Sequence, residues 1–368
     1  MIMFVRKQNL KRILKVGLFT IFSLLSTFAF VTSAHAAPSS QSVGMVAFEE
    51  KGNTGVGTYM FGINQNAGVS LWIESNLANW TKPHGFELGD LNGDGRSDIV
   101  AFEKASSTQG NYMLGINVGK NFIWVASNLQ NWAVPTSFQV GDVNGDDRAD
   151  IVAYEPVNGN GNIGTFRVGI NLGNNQFAWL ISNLQNWEAV TQWRLADMNG
   201  DSKADIVAFQ AQGAGQTRGN YYVGQTLGNA NFSWSEIFGG FLRPHEIEVG
   251  DLNGDGRMDF MATEAASGGG VNYMEAVASG RPIGGSLGDP AYNWGYTNLK
   301  NWTNPYSFQL GDMLRDGKAD IVAAESQSSN QVTYYQGNNL GNNQFTWGPN
   351  LQNWAKPVGF RLGNIDDQ

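Results

Sequence analysis

The 368-residue chain has no cysteine at all, so no disulfide can brace it and its stability must come from a packed core or a bound metal. Histidine is almost absent. Beyond residue 36 only His84 and His245 remain, in matching KPHG and RPHE turns with no serine or cysteine pattern beside them. Charged residues make up only 15%. After Ala37 no apolar run is long enough to cross a bilayer, which takes about 20 residues, and no window shows a convincing helical period. What is plentiful is glycine, at 47 residues, and tryptophan, at 12. Glycine-rich turns and aromatic-rich strands are what a fold of many short strands requires.

The first 36 residues read as a secretory signal peptide. Arg6, Lys7, Lys11, Arg12 and Lys15 form a basic start, Val16 to Val31 is apolar, and Ala34-His35-Ala36 is a small-x-small cleavage site. An uncleaved membrane anchor is the alternative, for which sixteen apolar residues are short. The expected destination is extracellular, with a periplasmic one also open. The leader holds five of the 23 Lys and Arg and none of the 32 Asp and Glu, so without it the net charge moves from −9 to −14. An acidic surface is a poor partner for nucleic acid, whose phosphates call for a basic one.

From 37 to 368 one unit repeats. GDLNGDGRSDIVAFE starts at Gly89 and returns as GDVNGDDRADIVAYE at Gly141, ADMNGDSKADIVAFQ at Ala196, GDLNGDGRMDFMATE at Gly250 and GDMLRDGKADIVAAE at Gly311. A sixth copy begins at Gly363 and stops with the chain, while Val43–Glu49 matches only the second half of a unit. The units fall near 86–137, 138–192, 193–246, 247–307 and 308–359, with 360–368 completing 43–85. Two complementary fragments at opposite ends suit a closed ring, because the last strand then pairs with the first and no sheet edge is left open. Each unit reads as four strands; in one of them these are Ser137–Gly141, Ile151–Glu155, Thr165–Asn171 and Gln176–Ser182. The pattern predicts an all-β fold, a six-bladed β-propeller of four-stranded blades in a single domain.

The Asp-rich turn of each unit places oxygen side chains at positions 1, 3, 5 and 9 of a tight loop. Calcium takes six to eight such oxygens, and three aspartates within nine residues repel one another unless a cation offsets them. The expected ligands are Asp90, Asn92, Asp94 and Asp98; Asp142, Asn144, Asp146 and Asp150; Asp197, Asn199, Asp201 and Asp205; and Asp251, Asn253, Asp255 and Asp259. The carbonyls of Arg96, Arg148, Lys203 and Arg257 would fill position 7. In a doubtful fifth loop Leu314 replaces the asparagine and leaves Asp312, Asp316 and Asp320. Gly44 stands where the split unit should have its last aspartate, so no ion is expected there. Solvated Asp-Gly turns without metal are the plainer alternative. The stretches Phe86–Ala101 and Phe138–Ala153 resemble the signature of the FG-GAP/VCBS repeat family, found in integrin α-subunit propellers and many secreted bacterial proteins. The resemblance implies a propeller with calcium on its blade loops. It implies no single function, since relatives include lectins, adhesion modules and propeller domains of polysaccharide-cleaving enzymes.

A second motif, NLxNW, closes most units and supplies Asn79 and Trp80, Asn131 and Trp132, Asn186 and Trp187, Asn301 and Trp302, and Asn353 and Trp354. Indole beside carboxamide could stack on a sugar ring and grip its hydroxyls, or the same residues could seal the join to the next blade. A further tryptophan series, Trp72, Trp124, Trp179, Trp234, Trp294 and Trp347, reads as packing between blades. Glu49, Glu103, Glu155, Glu264 and Glu325 recur in phase, so none stands out as a lone acid or base, and no catalytic constellation interrupts the repeat. The chain reads first as a non-catalytic, glycan-binding module. A protein-binding, integrin-like platform is the second reading, and a polysaccharide-cleaving enzyme the third.

Overall fold

The structure, a computed structural model, describes residues 43–365 apart from positions 53, 65–69, 120, 158–159, 214–215, 267–268, 284–290, 301, 303–304 and 330. The expected signal peptide lies outside the described residues. Among those described, no helix is long and apolar enough to cross a membrane.

Six antiparallel sheets make six blades. The first is split: Val43–Glu50, Val56–Asn64 and Ser70–Thr81 are joined by Gly359–Asn364 from the far end of the chain. Blade two is Gly85–Gly89, Asp98–Lys104, Gln109–Asn117 and Phe122–Ala126; blade three is Ser137–Gly141, Asp150–Val157, Asn160–Gly173 and Gln176–Ile181. Blade four runs Val190–Ala196, Asp205–Ala211, Arg218–Gly228 and Asn231–Leu242; blade five Glu246–Gly250, Asp259–Ala265, Val271–Ala278 and Tyr292–Tyr296. Blade six is Ser307–Gly311, Asp320–Ser326, Gln331–Gly341 and Gln344–Ala355. Short strands Trp132–Ala133 and Trp187–Glu188 pair back onto the third strands of blades two and three, an addition the repeat pattern did not suggest.

The innermost strand of each blade touches the next, and Gly359–Asn364 touches both Ser307–Gly311 and Gly85–Gly89, so the ring is closed. Val43–Phe48 pairs in register with Asn364–Gly359. Main-chain bonds also cross from blade to blade, from the amides of Ala149, Ala204 and Ala319 to the carbonyls of Asp90, Asp142 and Asp251 (2.7, 2.6 and 2.6 Å). Each second strand is fully buried over its apolar run, as at Ile99–Phe102 and Ile151–Ala153. The core is therefore a set of clusters shared between neighbouring blades, such as Val100, Phe102 and Tyr112 of blade two with Phe138, Val140 and Ile151 of blade three.

Five of the six junctions pair a tyrosine with a glutamate of the following blade: Tyr59 with Glu103, Tyr112 with Glu155, Tyr221 with Glu264, Tyr273 with Glu325 and Tyr334 with Glu49. Burial raises each tyrosine, and the nearby carboxylate raises it further. At the junction of blades three and four both change together, to Phe166 and Gln210.

Candidate functional sites at the blade junctions

The Asp loops fold as nested side-chain turns. Asp90 accepts from the amides of Gly93 and Gly95 (both 2.7 Å), Asn92 Oδ1 from Asp94 (2.9 Å), and Asp94 Oδ1 from Arg96 (3.0 Å). Gly93 and Gly95 sit at φ 77° and 84°, which an L side chain rarely adopts. The loops of Asp142, Asp197 and Asp251 repeat these bonds. Asp98 is fully buried, with Oδ1 on the Asn117 amide and Oδ2 on the Leu91 amide (2.7 and 2.8 Å). Burial, with the charges of Asp90 and Asp94, pushes its carboxyl up to about 7 against the pull of those amides. Asp150 and Asp205 are pushed up to about 8, and Asp259 and Asp320 to about 7, all chiefly by burial.

The position-7 side chain folds back over this charge. Arg96 reaches Asp94 and Arg148 reaches Asp146, each at 2.7 Å, with Lys318 on Asp316 at 3.4 Å. Among the described residues no three His, Cys, Asp or Glu side chains form a ready-made metal cage. The donors are nonetheless hard oxygens in nested turns, as a calcium ion requires. In the fifth loop, where leucine replaces the asparagine, the Leu314 amide turns to Asp320 (3.0 Å). In the split blade Gly44 is packed by Ile365, whose Cδ1 would clash with a Cβ at that position.

The NLxNW turns lie at the opposite end of the blades, since Trp132 pairs with Gly110 while Asp98 pairs with Gly89. The first asparagine clamps the next blade. Asn76, Asn128, Asn183 and Asn298 each accept from and donate to the backbone of Phe122, Phe177, Phe232 and Phe345, at 2.7–2.9 Å. The leucine is core: Leu77, Leu129, Leu184 and Leu299 are all buried. Asn79, Asn131 and Asn186 are exposed at φ 63°, 60° and 57° and turn the chain. The half-buried indoles of Trp80, Trp132, Trp187 and Trp302 lie 4.7–5.2 Å from Trp124, Trp179, Trp234 and Trp347 of the following blade. Where the motif is missing, Phe238 and Phe241 pack on Trp294 instead. Asn301 and the side chains of Trp72, Asn353 and Trp354 lie outside the described residues.

Two features escaped the reading of the sequence. The first is a belt of one residue per innermost strand: Arg361, Glu87, Gln139, Arg194, Glu248 and Gln309 in ring order. Glu87 takes Arg361 (2.6 Å at both oxygens) and Gln139 (3.0 Å); Glu248 takes Arg194 (2.9 Å from Nε) and Gln309 (2.7 Å). The sequence R-E-Q thus occurs twice, giving the ring a two-fold character and a neutral centre. The signal is a polar residue two positions before Gly-Asp in four units, and before Ala196-Asp197 and Gly363-Asn364 in the other two.

The second is a pair of cavities on the Asp-loop face, related by the same two-fold. Between blades two and three lies a cavity of about 420 Å³ lined by Asn92, Leu114, Arg148, Leu172, Asn174 and Asn175, among others. Between blades five and six lies one of about 280 Å³, where Asn253, Asn342 and Asn343 hold the matching places and Glu275 replaces Leu114. The paired asparagines sit at φ 52° and 61° in one and 51° and 62° in the other, as a two-residue type I′ hairpin needs.

The FG-GAP-like repeat model matches residues 90–153 and 197–262, so the chain carries FG-GAP-like repeats. No curated protein matches the chain. Among solved structures it resembles the six-bladed fucose-recognising lectin of Aleuria aurantia, at 11% identity, TM-score 0.52, over 89% of this chain and 98% of that one. AofleA from Arthrobotrys oligospora resembles it at 11% identity, TM-score 0.51, over 89% of both chains. A putative 6-phosphogluconolactonase from Bacteroides uniformis follows at 10% identity, TM-score 0.45, over 88% and 99%. At these identities what is shared is the fold.

Proposed function

We propose that this protein is an exported, calcium-stabilised, non-catalytic recognition module that binds glycans. The observation that carries the reading is the pair of junction cavities, where carboxamides meet apolar walls under a rim of exposed hairpin tips. Small-ligand sites combine apolar lining with a few placed polar groups in this way. The solved lectin from Aleuria aurantia, described in complex with Fucα1-6GlcNAc, lends support through its fold. Exposed Asn79, Asn131 and Asn186 beside half-buried indoles offer a second, shallower set of contacts on the opposite face. The calcium ions would sit in the Asp loops, held by the position-1, 3, 5 and 9 side chains and the position-7 carbonyl, and would take over from the Arg96 side chain and its equivalents the neutralisation of the loop charge.

A protein-binding platform is the second reading. Its support is the exposure of Leu172, Leu227 and Leu340 (60%, 67% and 59%) at equivalent hairpin tips on one face. A glycan array run in calcium and again in chelator tests the first reading against it. Binding to a related set of sugars supports a lectin; a blank on folded protein moves the weight to a protein ligand.

A further inference from the structure

One position of the third strand is occupied around the ring by Phe61, Leu114, Val168, Val223, Glu275 and Gln336, each facing the second strand's apolar run. Four are apolar, and Gln336 bonds to Asn338 at 2.8 Å. Glu275 is 3% exposed and makes no hydrogen bond or ion pair with any described residue. Burial alone pushes its carboxyl up to about 7. An unpaired buried carboxylate is costly, and the other blades show that the fold accepts leucine or valine there.

Glu275 opens into the cavity between blades five and six. Its lining includes Asn293 and Asn343, with Leu252 and Val277 as apolar walls. Gly295 makes the room: a Cβ there would lie 2.6 Å from Asn343 Nδ2. An acceptor that needs donors, carboxamides that both give and take, and small aliphatic walls match a molecule with adjacent hydroxyls on a compact carbon frame. A single carboxylate with no second acid in the lining is a poor cage for a divalent cation. At about 280 Å³ the cavity suits one sugar unit rather than a chain.

We propose that Glu275 is the anchoring acceptor of a monosaccharide subsite between blades five and six, taking two neighbouring hydroxyls of one pyranose ring. This rests on the glycan-binding reading above. The test is calorimetric titration of the full chain with methyl α-L-fucoside, D-galactose, D-mannose and N-acetylglucosamine. At least one should bind; Glu275→Gln should weaken it by about tenfold, and Glu275→Leu should remove one site from the stoichiometry. Glu275→Leu should also melt higher than wild type, since it deletes an unpaired charge. Unchanged affinity and stoichiometry in both variants overturns the subsite and leaves the lectin reading standing. So does silence of all four sugars on a protein that binds the array. Silence of sugars and array together overturns both, and a lower melting temperature in Glu275→Leu would mark the carboxylate as structural and overturn the subsite.

Discussion

The junction of blades two and three and that of blades five and six share their walls and differ in their floors. Both use the third residue of an Asp loop, an Asn-Asn hairpin at positive φ, and an asparagine clamp, Asn128 on Phe177 or Asn298 on Phe345. Yet one has Leu114 at its base with Arg148 beside it, and the other has Glu275 with Gly295 beside it. A repeat keeps the residues that join blades, because altering them opens the ring. It is free to vary a side chain that faces only a cavity. Chemistry therefore diverges at the floors.

The largest effect should come from the belt that relates the two halves. Glu248→Leu leaves Arg194 buried with the Trp193 carbonyl at 2.9 Å and the Glu246 carboxylate at 3.3 Å and should cost about 3–5 kcal/mol in urea unfolding. Glu87→Leu should cost less, because the Arg361 side chain it orphans is 19% exposed against 10% for Arg194. Equal losses would break the comparison. Next comes pH. Glu275 binds its proton more tightly folded than unfolded, so stability present at low pH is lost as pH rises from 4.5 to about 7. The stability difference between Glu275→Leu and wild type should widen by roughly 3 kcal/mol across that window. Leu114→Glu should install a shallower slope at the other junction, because Arg148 is there to favour the charged carboxylate; a pH-independent difference at Glu275 would count against this account.

Calcium removal should follow. A chelator should lower stability by about 2.7 kcal/mol where free ion had stood at 100 times its Kd, and paired Asp142→Ala and Asp146→Ala should reproduce part of that loss. Unchanged melting in chelator sinks the calcium proposal. Smallest and most symmetric are the clamps: Asn128→Ala and Asn298→Ala should each cost about 2 kcal/mol. A loss at only one junction would show that the walls are not equivalent.

The blades could be read from the sequence because the Asp turn repeats with its apolar strand, and the split unit implied closure. The strands expected in blade three agree with those observed, apart from longer second and third strands and a fourth that ends one residue sooner, at Ile181. The site was harder to see. Glu275 lies within VNYMEAVA, a stretch so far from its counterpart NYMLGIN that the exchange for leucine shows only once the register is known. The belt residues look like ordinary strand positions until six strands converge on one axis. The clamping asparagines do not stand out within their motif, because the backbone each one holds lies 46–49 residues further along the chain.

The closing strand is also the last to be made. Val43–Glu50 must wait for Gly359–Asn364 before its outer amides and carbonyls are satisfied. At about 5–20 residues per second, that wait is roughly 15–60 s of synthesis. Until that strand is available, the edge of Val43–Glu50 is open to pairing with a neighbour. The contact that ends this vulnerable period, Arg361 on Glu87, joins residues 274 apart. Folding yield should thus depend on how well young chains are kept apart.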